Sequence, residues 1–176
     1  MSDHVSHTAE PWLRGPLTEV DAITRAVLHA LELAGEDIAR WCAGLTEAEF
    51  SARPFGLPPL AFHLRHTARS LDRLLSYAEG TQLDATQLAA LRTELDADST
   101  HDAVLAEFRA ALRTAATRIR AFPPDHFNAP RTVGRAALPT TVGGLVVHCA
   151  DHTQRHTGQA VTTAKLVLAM RGGVCS

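Results

Sequence analysis

The sequence predicts an all-α domain built as a four-helix bundle, and three observations carry that expectation. Apolar residues make up 45% of the chain and aromatics only 5%, with Ala, Leu and Val supplying most of the core material. Four long segments place apolar side chains at steps of three and four, the period of a helix with one buried face. Prolines and glycines gather between those segments rather than inside them, where they would break helices. A chain of 176 residues suits one domain with a real core and is short for two. Residues 1–176 therefore read as a single domain, with 1–15 a loosely ordered N-terminal segment.

The first helix is predicted from Leu17 to Ala43, with Val20, Ile23, Val27, Leu31, Ala34, Ile38 and Trp41 on one face. Thr46 and Glu49 have the spacing of a capping box for a short helical turn before Pro54. The second long helix is predicted to open near Pro59 and run to Gly80, burying Leu60, Leu64, Leu71, Leu74, Leu75 and Ala78 and carrying His63 and His66. Leu83 to Leu95 has a weak apolar stripe and reads as a short helix within a connection. The third long helix spans Thr100 to Phe122, with Val104, Phe108, Leu112, Ala115, Ile119 and Phe122 inward and Pro123-Pro124 ending it. Residues 123–139 lack sustained periodicity and read as a long connection across one end of the bundle. The fourth helix begins with Thr140 or Thr141 as its cap, continues to about Met170 and stops at Gly172-Gly173.

Charge and cysteine usage exclude several functions. The formal charge is −2, with acidic and basic residues interspersed, so no basic stripe follows a phosphate backbone and nucleic acid is not an expected partner. No apolar run reaches the roughly 18 to 20 residues that span a bilayer, so no membrane partner is expected. Cys42, Cys149 and Cys175 are an odd count without framework spacing, and the N-terminal residues lack the apolar stretch of a secretory signal. These features predict a reduced, cytoplasmic protein. No Ser-His-Asp arrangement, phosphate-binding glycine loop or recognisable carboxylate pair is present.

Ten histidines are the unusual feature of the composition. His148, His152 and His156 follow one another at four-residue steps, so they project from one slowly rotating stripe of the fourth helix. At the observed histidine frequency, roughly 0.03 such runs are expected by chance, so coincidence explains the pattern poorly. Two imidazoles one turn apart can converge on a divalent ion at about 2.0 to 2.1 Å each, and a further ligand must come from another helix. On the second long helix, His63 lies about 70° and His66 about 130° from the centre of the apolar stripe, so periodicity alone selects His63. Gln159 lies about one turn beyond His156, Cys149 adjoins the stripe, and Asp151 points away from His152. His4, His7, His29, His101 and His126 lack partner spacing and read as surface or packing residues.

Two segments, FHLRHTARSLDRLLSYAEG and HCADHTQRHTGQ, resemble the DinB/YfiT-like family of small four-helix bundles regarded as metalloenzymes, and the likeness runs over nearly the whole chain. In that family a histidine on the second helix precedes an aliphatic residue and alanine, and a His-x3-His pair ends in His-Arg-Gly-Gln. His66-Thr67-Ala68 matches the first pattern, and His152 to His156 followed by Gly158-Gln159 matches the second. The resemblance thus implies His66, His152 and His156 as ligands of a Zn, Ni, Fe or Mn ion. It leaves His63, His148 and Gln159 as neighbours of the site or pocket. It also implies a small-molecule substrate and a homodimer. The implied chemistry is transfer from a low-molecular-weight thiol activated as thiolate, or hydrolysis by activated water; a non-catalytic metal-binding or stress-response role is the alternative. Two departures bear on the substrate: Thr157 stands where the family usually has arginine, and Thr67 where it has an aliphatic residue.

Overall fold

A computed structural model describes residues 9–95 and 100–171. The expectations for His4, His7, Cys175 and the Gly172-Gly173 stop lie outside the described residues. Six helices and a small two-stranded sheet are present: α1 (Ala22–Cys42), α2 (Glu47–Phe50), α3 (Leu60–Ala78), α4 (Ala85–Arg92), α5 (His101–Arg120), β1 (Pro130–Val133), β2 (Leu138–Thr141) and α6 (Val142–Arg171).

Local chemistry sets most of the boundaries. Asp21 caps α1 by accepting from the amides of Ile23 and Thr24, so the helix starts five residues later than the apolar period predicts. Ile23 is exposed as a result, while Val27, Leu31, Ala34 and Ile38 are buried as expected. The predicted capping box of Thr46 and Glu49 is formed at α2, and a second, Asp84 with Gln87, starts α4. Thr100 caps α5, and Thr141 Oγ1 accepts from the amide of Gly144 at 3.0 Å to open α6. Residues 9–15 hold a 3-10 turn, Pro11–Leu13, and Arg14 ties this segment to Glu36 of α1.

The connection at 123–139 is more regular than its sequence predicts. β1 and β2 pair antiparallel, with Pro130 opposite Thr141 and Val133 opposite Leu138, around a turn in which Gly134 and Ala137 both have positive φ. Four-residue strands with a proline in each give too little alternation for a strand to be recognised.

Cross-helix contacts fix the direction of each long helix. Gln154 Nε2 donates to the Ala30 carbonyl at 2.6 Å and Lys165 Nζ lies 4.4 Å above the Trp41 ring, so α6 runs parallel to α1. His63 meets His156 while His66 meets His152, so α3 runs antiparallel to α6. Arg69 pairs with Glu107, and Arg118 with Asp72 and Glu79, so α5 runs parallel to α3. The four long helices form an up-down-down-up bundle around Leu31, Leu64, Leu71, Phe108, Ile119 and Val146. Because α3 and α5 are parallel neighbours, the chain between them must travel back along the bundle. At 1.5 Å per residue the 19 residues of α3 cover roughly 28 Å, and α4 lies on this return.

Candidate metal centre

α3 and α6 face each other along the bundle and place four histidines in one cluster. His66, His152 and His156 each offer a ring nitrogen, and these atoms lie within 4.8 Å of one another; this is the only such group of His, Cys, Asp or Glu among the described residues. His66 Nε2 and His152 Nε2 are 3.1 Å apart. Two nitrogens bound to one tetrahedral ion at about 2.0 to 2.1 Å would sit roughly 3.3 Å apart, so the pair is spaced for a shared ion with little adjustment. The His152 and His156 rings are 4.6 Å apart between centroids, and those of His66 and His156 4.4 Å.

The protonation state suits a cation. Burial, reinforced by the positive charge its neighbours would carry, lowers the pKa of His152 and of His156 to about 4. Both are neutral near pH 7, with a lone pair available to a metal. His152 Nδ1 is buried without a hydrogen-bond partner, an orphan that a neutral ring tolerates better than a charged one. The residues therefore fit a divalent ion by donor set, spacing and charge.

His63 is buried and its Nδ1 lies 3.1 Å from Nδ1 of His156, behind the cluster rather than within the group of three. Burial, with His156 and His66 adding to it, lowers its pKa to about 4. The helical wheel is correct that His63 is the more buried of the two, yet the structure brings His66 to the α6 pair. His66 is one of three residues, with Arg69 and Arg73, that form a polar stripe of α3 beneath α4 and the segment after it. Arg69 Nη1 donates to the Ala90 carbonyl at 2.7 Å and to Thr93 Oγ1 at 2.9 Å. Arg73 Nη1 donates to Glu94 Oε1 at 2.9 Å, and the other carboxylate oxygen lies 2.7 Å from His66 Nδ1.

Glu94 is the residue that sequence reasoning missed. It is 7% exposed; burial raises its pKa, but the hydrogen bonds from His66 and Arg73 outweigh that and leave it lowered. No local signal sets it apart, since its partner lies 28 residues earlier and the two meet only through the return path of the chain. Phe62 stacks on His66 at 5.4 Å and meets His63 edge-on, closing that side of the cluster.

The other candidates fall around the centre. His148 stands one turn from His152, outside the group of three, with Nδ1 3.4 Å from the carboxylate of Asp151. Asp151 is also bonded to Arg155 at 2.7 Å, so it faces away from the cluster. Gln159 is exposed on the wall of a cavity of about 560 Å³, which is also lined by Leu57, Phe62, His63, Arg155 and His156. Thr157 is buried and does not line that cavity, so this position faces the bundle interior. Cys149 and Cys42 are buried, and burial raises their thiols to about 12 and about 11. His101 packs edge-on against Phe50, and His29 lines a separate cavity beside the N-terminal segment.

A helical bundle with three histidines converging from two antiparallel helices defines a candidate metal-binding domain. The family model of the DinB superfamily matches residues 30–160, about three quarters of the chain, and the protein belongs to that superfamily. A crystal structure of a conserved protein from Enterococcus faecalis superposes with a TM-score of 0.69, covering 85% of this chain and 99% of that one at 20% identity, and so shares the fold. No curated protein matches the chain.

Proposed function

We propose that His66, His152 and His156 hold a divalent metal ion, Zn, Ni, Fe or Mn, and that the protein is a metal-dependent enzyme transferring a low-molecular-weight thiol to a small electrophile. The observation that carries this reading is the convergence of three imidazoles, one of which, His156, lines a cavity of about 560 Å³. Three protein ligands leave a coordination position free, as catalytic sites require. An ion held there would act as a Lewis acid, lowering the pKa of a thiol or water bound at that position.

Thiol transfer is favoured over hydrolysis by what lines the cavity. Among the described residues its walls are mostly apolar or neutral, with Leu57, Phe62, His63, His156 and Gln159 beside Arg155 and no carboxylate to serve as general base for water. A thiol is far more acidic than water and needs less help to ionise. Cys42 and Cys149 are buried and held protonated, so among the described residues neither cysteine is suited to supply the thiol, and the reading takes it from solution. Phe62 and Leu57 offer an apolar seat for the electrophile, and Arg155 a cation at the rim. A free thiol co-substrate fits the reducing, cytoplasmic location expected from cysteine usage. Among the described residues no helix is long and apolar enough to cross a membrane. The homodimer implied by the family resemblance belongs to the same reading.

A non-catalytic metal-binding or stress-response role would call for a fourth protein ligand, and among the described residues the group holds three. Untagged protein is expected to retain near-stoichiometric metal that a His152→Ala, His156→Ala double variant loses. Protein loaded with each metal should then consume thiol in the presence of electrophiles. Absence of turnover above free metal, with thiols and with ester or amide substrates alike, would overturn the enzyme.

A further inference from the structure

The metal centre proposed above depends on His66 presenting Nε2, and not Nδ1, to the α6 histidines. An isolated imidazole has no such obligation, because either nitrogen can carry the proton and the ring can turn over. His66 also lies off the apolar stripe of α3, and the Phe62 ring stacked on it at 5.4 Å sets the plane of the imidazole without choosing between its two nitrogens. Something outside α3 must hold it. The contact in position to do so is the 2.7 Å approach of Glu94 Oε2 to His66 Nδ1.

We propose that Glu94 is the positioning residue of this centre: its carboxylate accepts the Nδ1–H of His66, fixes that tautomer and turns Nε2 toward His152. The two Nε2 atoms then form a complementary pair in the metal-free protein, His66 accepting and His152 donating across 3.1 Å. This leaves His152 Nδ1 as an unprotonated acceptor, the atom that is buried without a partner. For His152 to offer its Nε2 lone pair to a divalent ion, the Nε2 proton would move to its own Nδ1, so that the ring stays a neutral imidazole. A carboxylate behind a ligand imidazole both orients the ring and strengthens it as a donor, and loss of such a partner typically weakens metal binding by about 10- to 100-fold.

The fold supports Glu94 from three sides. Arg73 Nη1 occupies its other oxygen at 2.9 Å, so both carboxylate oxygens of this nearly buried group are satisfied and the side chain has one orientation. Arg69 fastens the end of α4 just before it, through the Ala90 carbonyl and the Thr93 hydroxyl. Gln87 at the start of α4 bonds Asp72 Oδ2 at 2.6 Å and Ser76 Oγ at 2.8 Å. The short α4, which buries no side chain of its own, thus acts as a brace that delivers one carboxylate to one ligand.

The test uses the full chain as wild type, Glu94→Gln, Glu94→Ala and Arg73→Met. Zn²⁺ affinity is measured by competition with a chromogenic chelator, and the His66 tautomer of metal-free protein by long-range ¹H–¹⁵N correlation. Glu94→Gln retains the shape and one acceptor, so it keeps the fold and is expected to bind Zn²⁺ about tenfold more weakly; Glu94→Ala should lose about 10- to 100-fold. Wild-type His66 should be the Nδ1–H tautomer and Glu94→Ala should lose that preference. Arg73→Met frees one oxygen of Glu94 but leaves the oxygen that faces His66, so it should weaken Zn²⁺ binding less than Glu94→Ala and keep the His66 tautomer preference. Equal losses in Arg73→Met and Glu94→Ala would reduce Glu94 to a structural anchor and overturn the proposal. So would unchanged affinity and tautomer in both Glu94 variants while wild type binds Zn²⁺. Wild type that binds no Zn²⁺ would overturn the metal centre itself, and this proposal with it.

Discussion

Replacing His66 and His63 separately by alanine distinguishes the two α3 histidines, which differ in what they touch. His66 belongs to the group of three converging nitrogens, whereas His63 lies outside it and approaches His156 Nδ1 at 3.1 Å. Four-ligand zinc sites in small domains contribute about 10 to 16 kcal/mol, so one ligand is worth roughly 3 to 4 kcal/mol. At about 1.4 kcal/mol per factor of ten, His66→Ala should weaken Zn²⁺ binding by about 100- to 1000-fold. His63→Ala removes only the partner of a ligand and should cost about tenfold. The metal-free proteins should rank the other way in one respect: His63 is 4% exposed and its loss leaves a void in the bundle. His66→Ala instead strips Glu94 of one hydrogen bond, a cost of about 1 to 3 kcal/mol for a buried acceptor. Chelator competition gives the affinities, and thermal melts in chelator give the stabilities. If His63→Ala abolishes binding while His66→Ala stays within tenfold of wild type, the assignment of the α3 ligand is wrong.

Three further outcomes follow from the same geometry. His63, His152 and His156 have folded-state pKa values near 4, below the ordinary value of 6.5, so the unfolded chain takes up protons first as pH falls. Metal-free protein should therefore hold its full histidine contribution above about pH 7.5 and lose it progressively from about pH 6.5 down to 4. A His63→Gln, His152→Gln variant should show a shallower fall in Tm between pH 7.5 and 5, and an unchanged slope would contradict the depressed values. Cys42 and Cys149 are buried with raised pKa, so in a Cys175→Ser background a disulfide thiol reagent at pH 8 should label neither until denaturant is added; rapid labelling of the native protein would refute their burial. Asp21→Ala removes the acceptor for the amides of Ile23 and Thr24 in the first turn of α1 and should lower stability by about 1 kcal/mol in urea titration, with no change in Zn²⁺ affinity.

The four long helices were legible because each writes its own period into the sequence. Val27, Leu31, Ala34 and Ile38 on α1, and Val104, Phe108, Leu112, Ala115 and Ile119 on α5, mark one face each and are buried there. Where an element is short the period fails. The hairpin of β1 and β2 was read as irregular connection because its two strands of four residues offer no repeat long enough to see. The start of α1 was misjudged because the apolar period continues past the cap, whereas Asp21 ends the helix through local hydrogen bonds.

Local spacing was enough to pair His152 and His156 on α6. Their relation is fixed by a single helix, in which four residues always return a side chain to nearly the same face. The choice on α3 rested on family resemblance, since its own periodicity favoured His63. The packing of α3 against α6 and the return path between α3 and α5 complete the cluster. His66 faces a segment that returns along the bundle because α3 and α5 run parallel, and that path sets Glu94 beside it. Such a contact joins residues 28 positions apart through the direction of a helix not yet formed when either is read. Local spacing encodes what one helix can present; the packing of helices decides which of those side chains meet.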